Sequence, residues 1–300
     1  MLPEVETWDA MPDEATLRPG VARLCGELGV DPAGLVRFAQ GSRPVYAAGD
    51  LVLKLFPPLD GDAYRVEASV LAAVSGALPV ATPAVHAVGE RRGWGYVLMS
   101  RLPGVPLDKV WPELSEADRD RIADQLGQTL AALHIVQPPA IPPDDWAEFV
   151  ARQRAACEQE QRDLGLALEW AAQIPGFLDS VAFRETPQAL LHTEIMREHL
   201  LVSQDRQLSG VIDFEPAMRG APEYEFVALG LFAAAGDARF LRRALLAYGY
   251  SDGELDSGLR RRLMGWTILH RYSHLSAYLT RLPPPSTATF EAAADQWFAT

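Results

Sequence analysis

The sequence is poor in what a disulfide framework, a membrane span or a nucleic-acid surface would need. It holds two cysteines in 300 residues, Cys25 and Cys157. They lie far apart without Cys-x-x-Cys spacing, which indicates neither a disulfide scaffold nor a thiolate zinc site; plain buried thiols are expected. The longest apolar run, Phe226 to Ala235, falls well short of the roughly 20 residues that a membrane-spanning helix requires. The opening MLPEVETWDA is acidic and lacks a basic stretch followed by an apolar core, so no secretory signal is read and a cytoplasmic location is expected. Basic charge is short as well: 27 Lys and Arg against 40 Asp and Glu give a net charge of −13. That disfavours a nucleic-acid backbone as partner, because such contacts need clustered cations to displace counterions. The same bias would attract a cationic small molecule.

What is present is an ordinary globular chain, 48% hydrophobic and 22% charged, long enough for one large core or two modest ones. No internal repeat is visible, and proline-rich sequence is confined to short linkers such as Pro283 to Ser286. Residues 13–29 predict an amphipathic helix carrying Leu17, Val21, Leu24 and Leu28. Residues 35–103 then alternate short apolar segments with turn residues. Leu35–Phe38, Pro44–Ala47, Leu51–Phe56, Ala84–Val88 and Trp94–Met99 read as five strands of a meander, with Gly49-Asp50 as a hairpin turn. One helix interrupts them at 62–75, with Tyr64, Val66, Val70, Leu71 and Val74 at helical spacing.

Beyond Pro103-Gly104 the chain turns helical. Ser115-Glu116-Ala117-Asp118 has the form of a capping box with Asp in place of Glu, followed by Ile122, Leu126, Leu130 and Leu133. Residues 145–183 and 223–281 read as helical, and 190–214 as short strands. The expected fold is therefore α+β in two lobes, an N-lobe of residues 1–103 and a C-lobe of 104–300, with a ligand cleft between them.

Charged residues in apolar settings identify the chemistry of that cleft. In LVLKLF, strand alternation puts Val52, Lys54 and Phe56 on one face and Leu53 and Leu55 on the other. A lysine there either snorkels from an edge strand to water or is held by a carboxylate. Glu67 in YRVEASVL is placed to face the sheet, and a strand lysine held by a helix glutamate is the protein-kinase device for gripping polyphosphate. Gly41 and Ser42 in AQGSRPVY form either a simple hairpin turn or a loop donating N–H and hydroxyl groups to phosphate. Asp213 closes the apolar strand VID, where an unpaired carboxylate is costly and Mg²⁺ would satisfy it. The octet HTEIMREH, residues 192–199, packs two His, two Glu and an Arg between apolar runs.

Taken in order, GSRPVY, VLKLF, YRVEASVL, GYVLMSRLPGVPL, LGQTLAALH, HTEIMREHLLV and LSGVIDFEPAMRGAPEYEFVALG resemble the aminoglycoside phosphotransferase family, its hygromycin-type kinases above all, across roughly residues 20 to 235. The resemblance implies a protein-kinase-like fold, ATP or GTP with Mg²⁺ or Mn²⁺, and transfer of the γ-phosphoryl to a small-molecule hydroxyl. It implies Lys54 as the phosphate-binding lysine, Glu67 as its helix partner, Ser100, Arg101 and Leu102 as the adenine-binding hinge, and Asp213 as the metal aspartate. Where the family writes HGDxxxxN, this chain has Thr193 for Gly, Glu194 for the catalytic Asp and His199 for the metal-binding Asn. The Asp expected after the downstream glycine is also replaced, by Ala221-Pro222 after Gly220.

Glutamate can orient an acceptor hydroxyl as aspartate does, although one extra methylene moves the carboxylate by about 1 to 1.5 Å. Imidazole suits Mn²⁺ or Zn²⁺ better than Mg²⁺. His199 would then either ligate the metal beside Asp213 or hydrogen-bond phosphate, with Glu198 or Asp213 carrying the metal. His192 is expected to satisfy a backbone carbonyl. His270 and His274 have metal-compatible helical spacing without an intervening glutamate, so a core role is the expectation. Trp94 and Tyr96 read as strand core. Asp144, Asp145, Glu148, Glu223 and Glu225 either line an acidic acceptor pocket or form a solvated surface.

Two functions follow. One is an ATP-dependent kinase acting on a hydroxyl of an aminoglycoside, another sugar-containing metabolite or an amino alcohol, with Glu194 and Asp213 as its catalytic carboxylates. The other is a kinase-like nucleotide- or ligand-binding module that has lost transfer. A protein-substrate kinase fares worse, since no DFG-to-APE segment is present.

Overall fold

In the computed structural model, residues 2, 3, 5, 7, 11–39 and 41–300 are described. Helix α1 (Glu14–Glu27) begins where the Asp13 carboxylate accepts the Thr16 N–H, a side-chain cap on its first turn. Five strands follow: β1 (Val36–Arg37), β2 (Val45–Ala48), β3 (Leu51–Phe56), β4 (Val85–Arg91) and β5 (Trp94–Ser100). They form one antiparallel sheet in the order β1-β2-β3-β5-β4. Alternation along these strands sorts the side chains. Tyr46, Leu53, Leu55, Trp94, Tyr96 and Leu98 join Leu17, Val21, Leu24 and Cys25 of α1 in one core. Phe56, Val97 and Met99 join Tyr64, Val70, Leu71 and Val74 of α2 (Ala63–Val74) in a second core that continues into the helical half. Gly95 lets α2 come this close, since a Cβ there would lie 2.2 Å from the Tyr64 ring.

The second half is mainly helical, with two small sheets. Short β6 (Val105–Pro106) and α3 (Leu107–Val110) lead to α4 (Glu116–Ile135), which starts in the Ser115/Asp118 capping box read from the sequence. The stretch expected as helix over 145–183 is instead three helices, α5 (Trp146–Asp163), α6 (Leu168–Ala171) and α7 (Ile174–Ser180). Gly165, at φ 81°, ends the first of them. Then β7 (Ala189–Leu191) pairs antiparallel with β10 (Met218–Gly220), while β8 (Leu200–Val202) lies between β6 and β9 (Leu208–Val211). The region 223–281 is likewise divided, into α8 (Pro222–Ala228), a π-helical turn at Leu229–Ala234, α9 (Ala238–Tyr248), α10 (Ser257–Leu269) and α11 (Leu275–Arg281); α12 (Phe290–Trp297) closes the chain.

One backbone contact registers the halves, and another packs the helical half. Ala81, between α2 and β4, donates its N–H to Ser209 O at 3.2 Å and accepts from Val211 N at 3.0 Å. This fastens the linker to β9 two residues before Asp213. Behind the site, α4 and α9 pack backbone against backbone at Gly127, where a Cβ would lie 2.1 Å from Ala244 O. Among the described residues no helix is long and apolar enough to cross a membrane. Gly127→Ala is expected to destabilise the protein by about 1 to 3 kcal/mol through overpacking against that carbonyl; urea denaturation should show a lower midpoint, and an unchanged midpoint would refute the close contact.

Candidate active site

Strand β3 delivers Lys54 and α2 delivers Glu67 to the same point. The ammonium lies 3.1 Å from Glu67 Oε2, with the two residues 6% and 1% exposed. From the stretch following β9, Asp213 Oδ1 hydrogen-bonds Lys54 Nζ, and Glu215 Oε2 accepts from it at 2.9 Å. Burying charge is costly unless it is paired, so the groups set one another's ionisation. Burial works against the Lys54 charge, but Asp213, Glu67 and Glu215 outweigh it and raise the pKa. Burial raises Glu67, with Lys54 opposing. Asp213 is held well below the usual carboxylate range by Lys54 and His199, despite its burial. Burial first, and then the Asp213 charge, push Glu215 up to about 7 against the pull of Lys54. Arg43 completes the network: Nη1 meets Glu215 Oε1 at 2.9 Å, while Nε and Nη2 grip Asp60 at 2.7 and 3.1 Å.

The octet 192–199 forms the opposite wall. Thr193 has φ 69° and Asp213 has φ 72°, a left-handed conformation that is costly for a β-branched residue and persists only when its surroundings impose it. Glu225, fully buried, imposes it here: its carboxylate accepts the His192 N–H at 2.5 Å and the Thr193 N–H at 2.9 Å. Thr193 Oγ1 donates to Pro216 O at 2.9 Å. Arg271 Nη2 also reaches Pro216 O and lies 3.4 Å from Thr193 Oγ1. His192 Nε2 meets Ile212 O at 2.9 Å and its Nδ1 accepts from Glu194 N at 3.3 Å. That is the neutral tautomer, in keeping with a pKa that burial lowers. Arg197 anchors the far end by donating to Ala233 O and Ala234 O at 2.7 and 2.9 Å, while stacking 3.5 Å over Trp111.

So braced, the loop presents Glu194 and His199 to Asp213. His199 Nδ1 lies 2.8 Å from Glu194 O, which turns Nε2 to within 3.1 Å of Asp213 Oδ2. Burial opposes the imidazolium, yet the hydrogen bond and charge of Asp213 push the His199 pKa up to about 9. Burial raises the Glu194 pKa, with Asp213 adding to it and His199 opposing. One donor atom from each of Glu194, His199 and Asp213 lies within 4.8 Å of the others, close enough to share a metal ion.

A family model for the phosphotransferase enzyme family matches residues 35–266. The chain belongs to this family of phosphotransferases. Similar solved structures include the GDP and kanamycin complex of APH(2")-IIia, 20% identical, with a TM-score of 0.67 over 82% of this chain and 87% of that one. Macrolide 2'-phosphotransferase MphH from Brachybacterium faecium, an apoenzyme, is 22% identical, with a TM-score of 0.63 over 89% and 99%. The streptomycin-ATP-APH(2")-IIa ternary complex is 16% identical, with a TM-score of 0.61 over 88% and 93%. At such identities the likeness establishes the fold, α+β and kinase-like, as the sequence indicated.

Within the phosphotransferase fold, Lys54, Glu67, Glu194, His199 and Asp213 converge. Gly41 sits at φ 103°, and Gly41 and Ser42 are exposed on the loop that Arg43 ties down. Ser100 and Arg101 use their amides inside the sheet, on Ala84 O and Asp50 O, both at 2.8 Å, and Leu102 packs over Gly210. The remaining candidates fall outside this cluster. Glu198 is exposed and stands outside the Glu194–His199–Asp213 cluster. Glu223 is buried rather than solvated, in a bidentate pair with Arg262 at 2.9 to 3.0 Å, and Glu225 is spent on the loop. Asp145 caps α5, and Asp144 and Glu148 are solvated. His270 and His274 share no helix, because α10 ends at Leu269; His270 stacks on Tyr224 at 4.6 Å, and burial pushes its pKa down to about 3.

Arg43, Glu215 and Arg271 were not anticipated. A signal for Glu215 existed, as it stands two residues after Asp213. So did signals for the site as a whole: Lys54 is one of only two lysines in the chain, and the chain has no asparagine at all, so no side-chain amide of that type can replace His199. Glu225→Ala would strand two buried backbone N–H groups, a loss of about 2 to 4 kcal/mol. Chemical denaturation of the variant should show it, and a loss below 1 kcal/mol, on the order of a surface substitution, would contradict the bracing role.

Proposed function

We propose that the protein transfers the γ-phosphoryl group of ATP or GTP to a hydroxyl of a small molecule, with aminoglycosides, other sugar-containing metabolites and amino alcohols as the acceptor classes. One observation carries this reading: an ammonium pinned by a helix glutamate stands together with two carboxylates, Glu194 on a braced loop and Asp213 just past a strand end. Phosphoryl transfer asks chiefly for positioning and charge neutralisation, and this arrangement offers both. The nucleotide complexes among the structural relatives, with GDP, ATP and ADP, support nucleotide as the donor. The net charge of −13 supports a cationic acceptor.

In this reading Lys54 binds phosphate oxygens, and Glu67 holds the ammonium in place. Gly41 and Ser42 close over the phosphates, and Ser100, Arg101 and Leu102 shape the adenine hinge. The donor set fits a divalent cation: the Glu194 carbonyl fixes the His199 ring from behind, as supporting hydrogen bonds do for metal-ligating histidines, and Asp213 supplies oxygen beside it. His199 and Asp213 would hold Mg²⁺ or Mn²⁺; when bound, the ion neutralises charge on the phosphate oxygens. Glu194 accepts the hydrogen bond of the acceptor hydroxyl and aims its oxygen. Burial raises the Glu194 pKa and so makes it a better proton acceptor than a solvated carboxylate.

The test is phosphorylated product, detected by mass spectrometry over a panel of such acceptors with Mg²⁺ and Mn²⁺ compared. Lys54→Ala and Asp213→Ala should each lower turnover by about a thousandfold or more; full turnover in either would overturn the assignment. Only ionised Glu194 accepts the hydrogen bond. Its pKa lies above the ordinary 4.5, so kcat/KM should fall as pH drops through that raised value, a limb that Glu194→Gln should abolish. The His199–Asp213 ion pair favours a second reading, a binding module without transfer. Thermal stabilisation by nucleotide with no product from any acceptor would select it.

A further inference from the structure

We propose that Glu215 is a built-in surrogate for phosphate: without nucleotide it bridges Lys54 and Arg43, and an arriving triphosphate displaces it and takes over both cations. The proposal rests on the phosphotransfer reading and assigns Arg43 as a second phosphate-binding residue. The geometry is that of a bridging anion. Glu215 presents one oxygen to each cation, Oε2 to Lys54 Nζ and Oε1 to Arg43 Nη1, both at 2.9 Å. Its side chain is 7% exposed and that of Arg43 17%.

Charge counting identifies Glu215 as the group that yields. Lys54 already has Glu67 and Asp213, and Arg43 already has Asp60. Among the described residues three cations, Lys54, Arg43 and the His199 imidazolium on Asp213, therefore face four carboxylates where the phosphates would bind, and the surplus repels phosphate until one carboxylate leaves. Glu67 sits on α2 beneath the ammonium, Asp60 holds the far edge of the guanidinium, and Asp213 is the proposed metal ligand. Glu215 is the carboxylate that bridges both cations, and among the described residues it stands outside the Glu194–His199–Asp213 group. Arg43 is prepared for the exchange, because Asp60 takes Nε and Nη2 and fixes the guanidinium plane, while Nη1 carries Glu215. Once Glu215 swings away, Nη1 of a guanidinium whose plane Asp60 already fixes is turned over to phosphate oxygen next to the Gly41–Ser42 loop. The exchange breaks no covalent bond. It lowers apparent affinity by the fraction of molecules whose bridge is closed.

The experiment is titration calorimetry of the full chain with AMP, ADP, ATP and inorganic triphosphate, each with Mg²⁺. Glu215→Gln should bind ATP and inorganic triphosphate about tenfold more tightly than the unaltered protein, with a gain that shrinks from ATP to AMP. Arg43→Met should weaken ATP binding about tenfold, also in the Glu215→Gln background. Glu215→Asp, too short to bridge both cations, should follow Glu215→Gln in direction. Unaltered protein that binds ATP while Glu215→Gln binds it no better, or binds AMP and ATP with equal gain, overturns the surrogate and leaves the transfer reading standing. No nucleotide binding by either protein overturns both. Melting temperatures guard the interpretation: failure of both Glu215 variants to fold also overturns the proposal, since a group that phosphate displaces cannot be required for the fold.

Discussion

A single buried ammonium holds the site together. Lys54 comes from the centre of the N-terminal sheet, Glu67 from the helix laid across it, and Asp213 and Glu215 from the other half of the chain, and they meet within hydrogen-bond reach. Removing one member of such a cluster leaves an uncompensated buried charge, which costs more than the intact pairs contribute. The cluster therefore sets the approach of the two halves as well as their chemistry. The Ala81 bridge to β9 supports the same registration through backbone hydrogen bonds alone.

The loop opposite is held in a conformation that its own residues disfavour. A threonine in left-handed backbone is strained, and its neighbours impose the strain: Glu225 takes two amides, Pro216 takes the hydroxyl, and Arg197 fastens the loop to the end of the π-helical turn. Strain of this kind accumulates where side chains must be aimed. Here it aims Glu194 and His199 at Asp213. Glu225, one of five carboxylates the sequence offered for either an acidic pocket or a solvated surface, is thus consumed in bracing the loop.

Much of this was legible without coordinates. Period-two alternation in LVLKLF separated Lys54 from Leu53 and Leu55, and the structure puts those leucines in one core while Val52 and Phe56, on the Lys54 face, join the other. The Ser115/Asp118 cap placed the start of α4. Long helical stretches were legible in type but not in extent, because residues such as Gly165 break a helix by backbone conformation while leaving the apolar period on either side intact. Glu223 and Glu225 misled for a related reason. A carboxylate reads the same in sequence whether water or a buried arginine or amide satisfies it.

The sequence alone determined the fold class, the family and the set of groups Lys54, Glu67, Glu194, His199 and Asp213, since each rests on local pattern or on motif order. Beyond the Lys54–Glu67 pair, which the sequence had already joined, only the tertiary structure decided their partners. Arg43, Glu215, Glu225 and Arg271 acquire meaning from residues tens to hundreds of positions away, as the Lys54 contact with Glu215 across 161 positions illustrates. Pairing of buried charge is a property of distance in space, and periodicity carries no information about it.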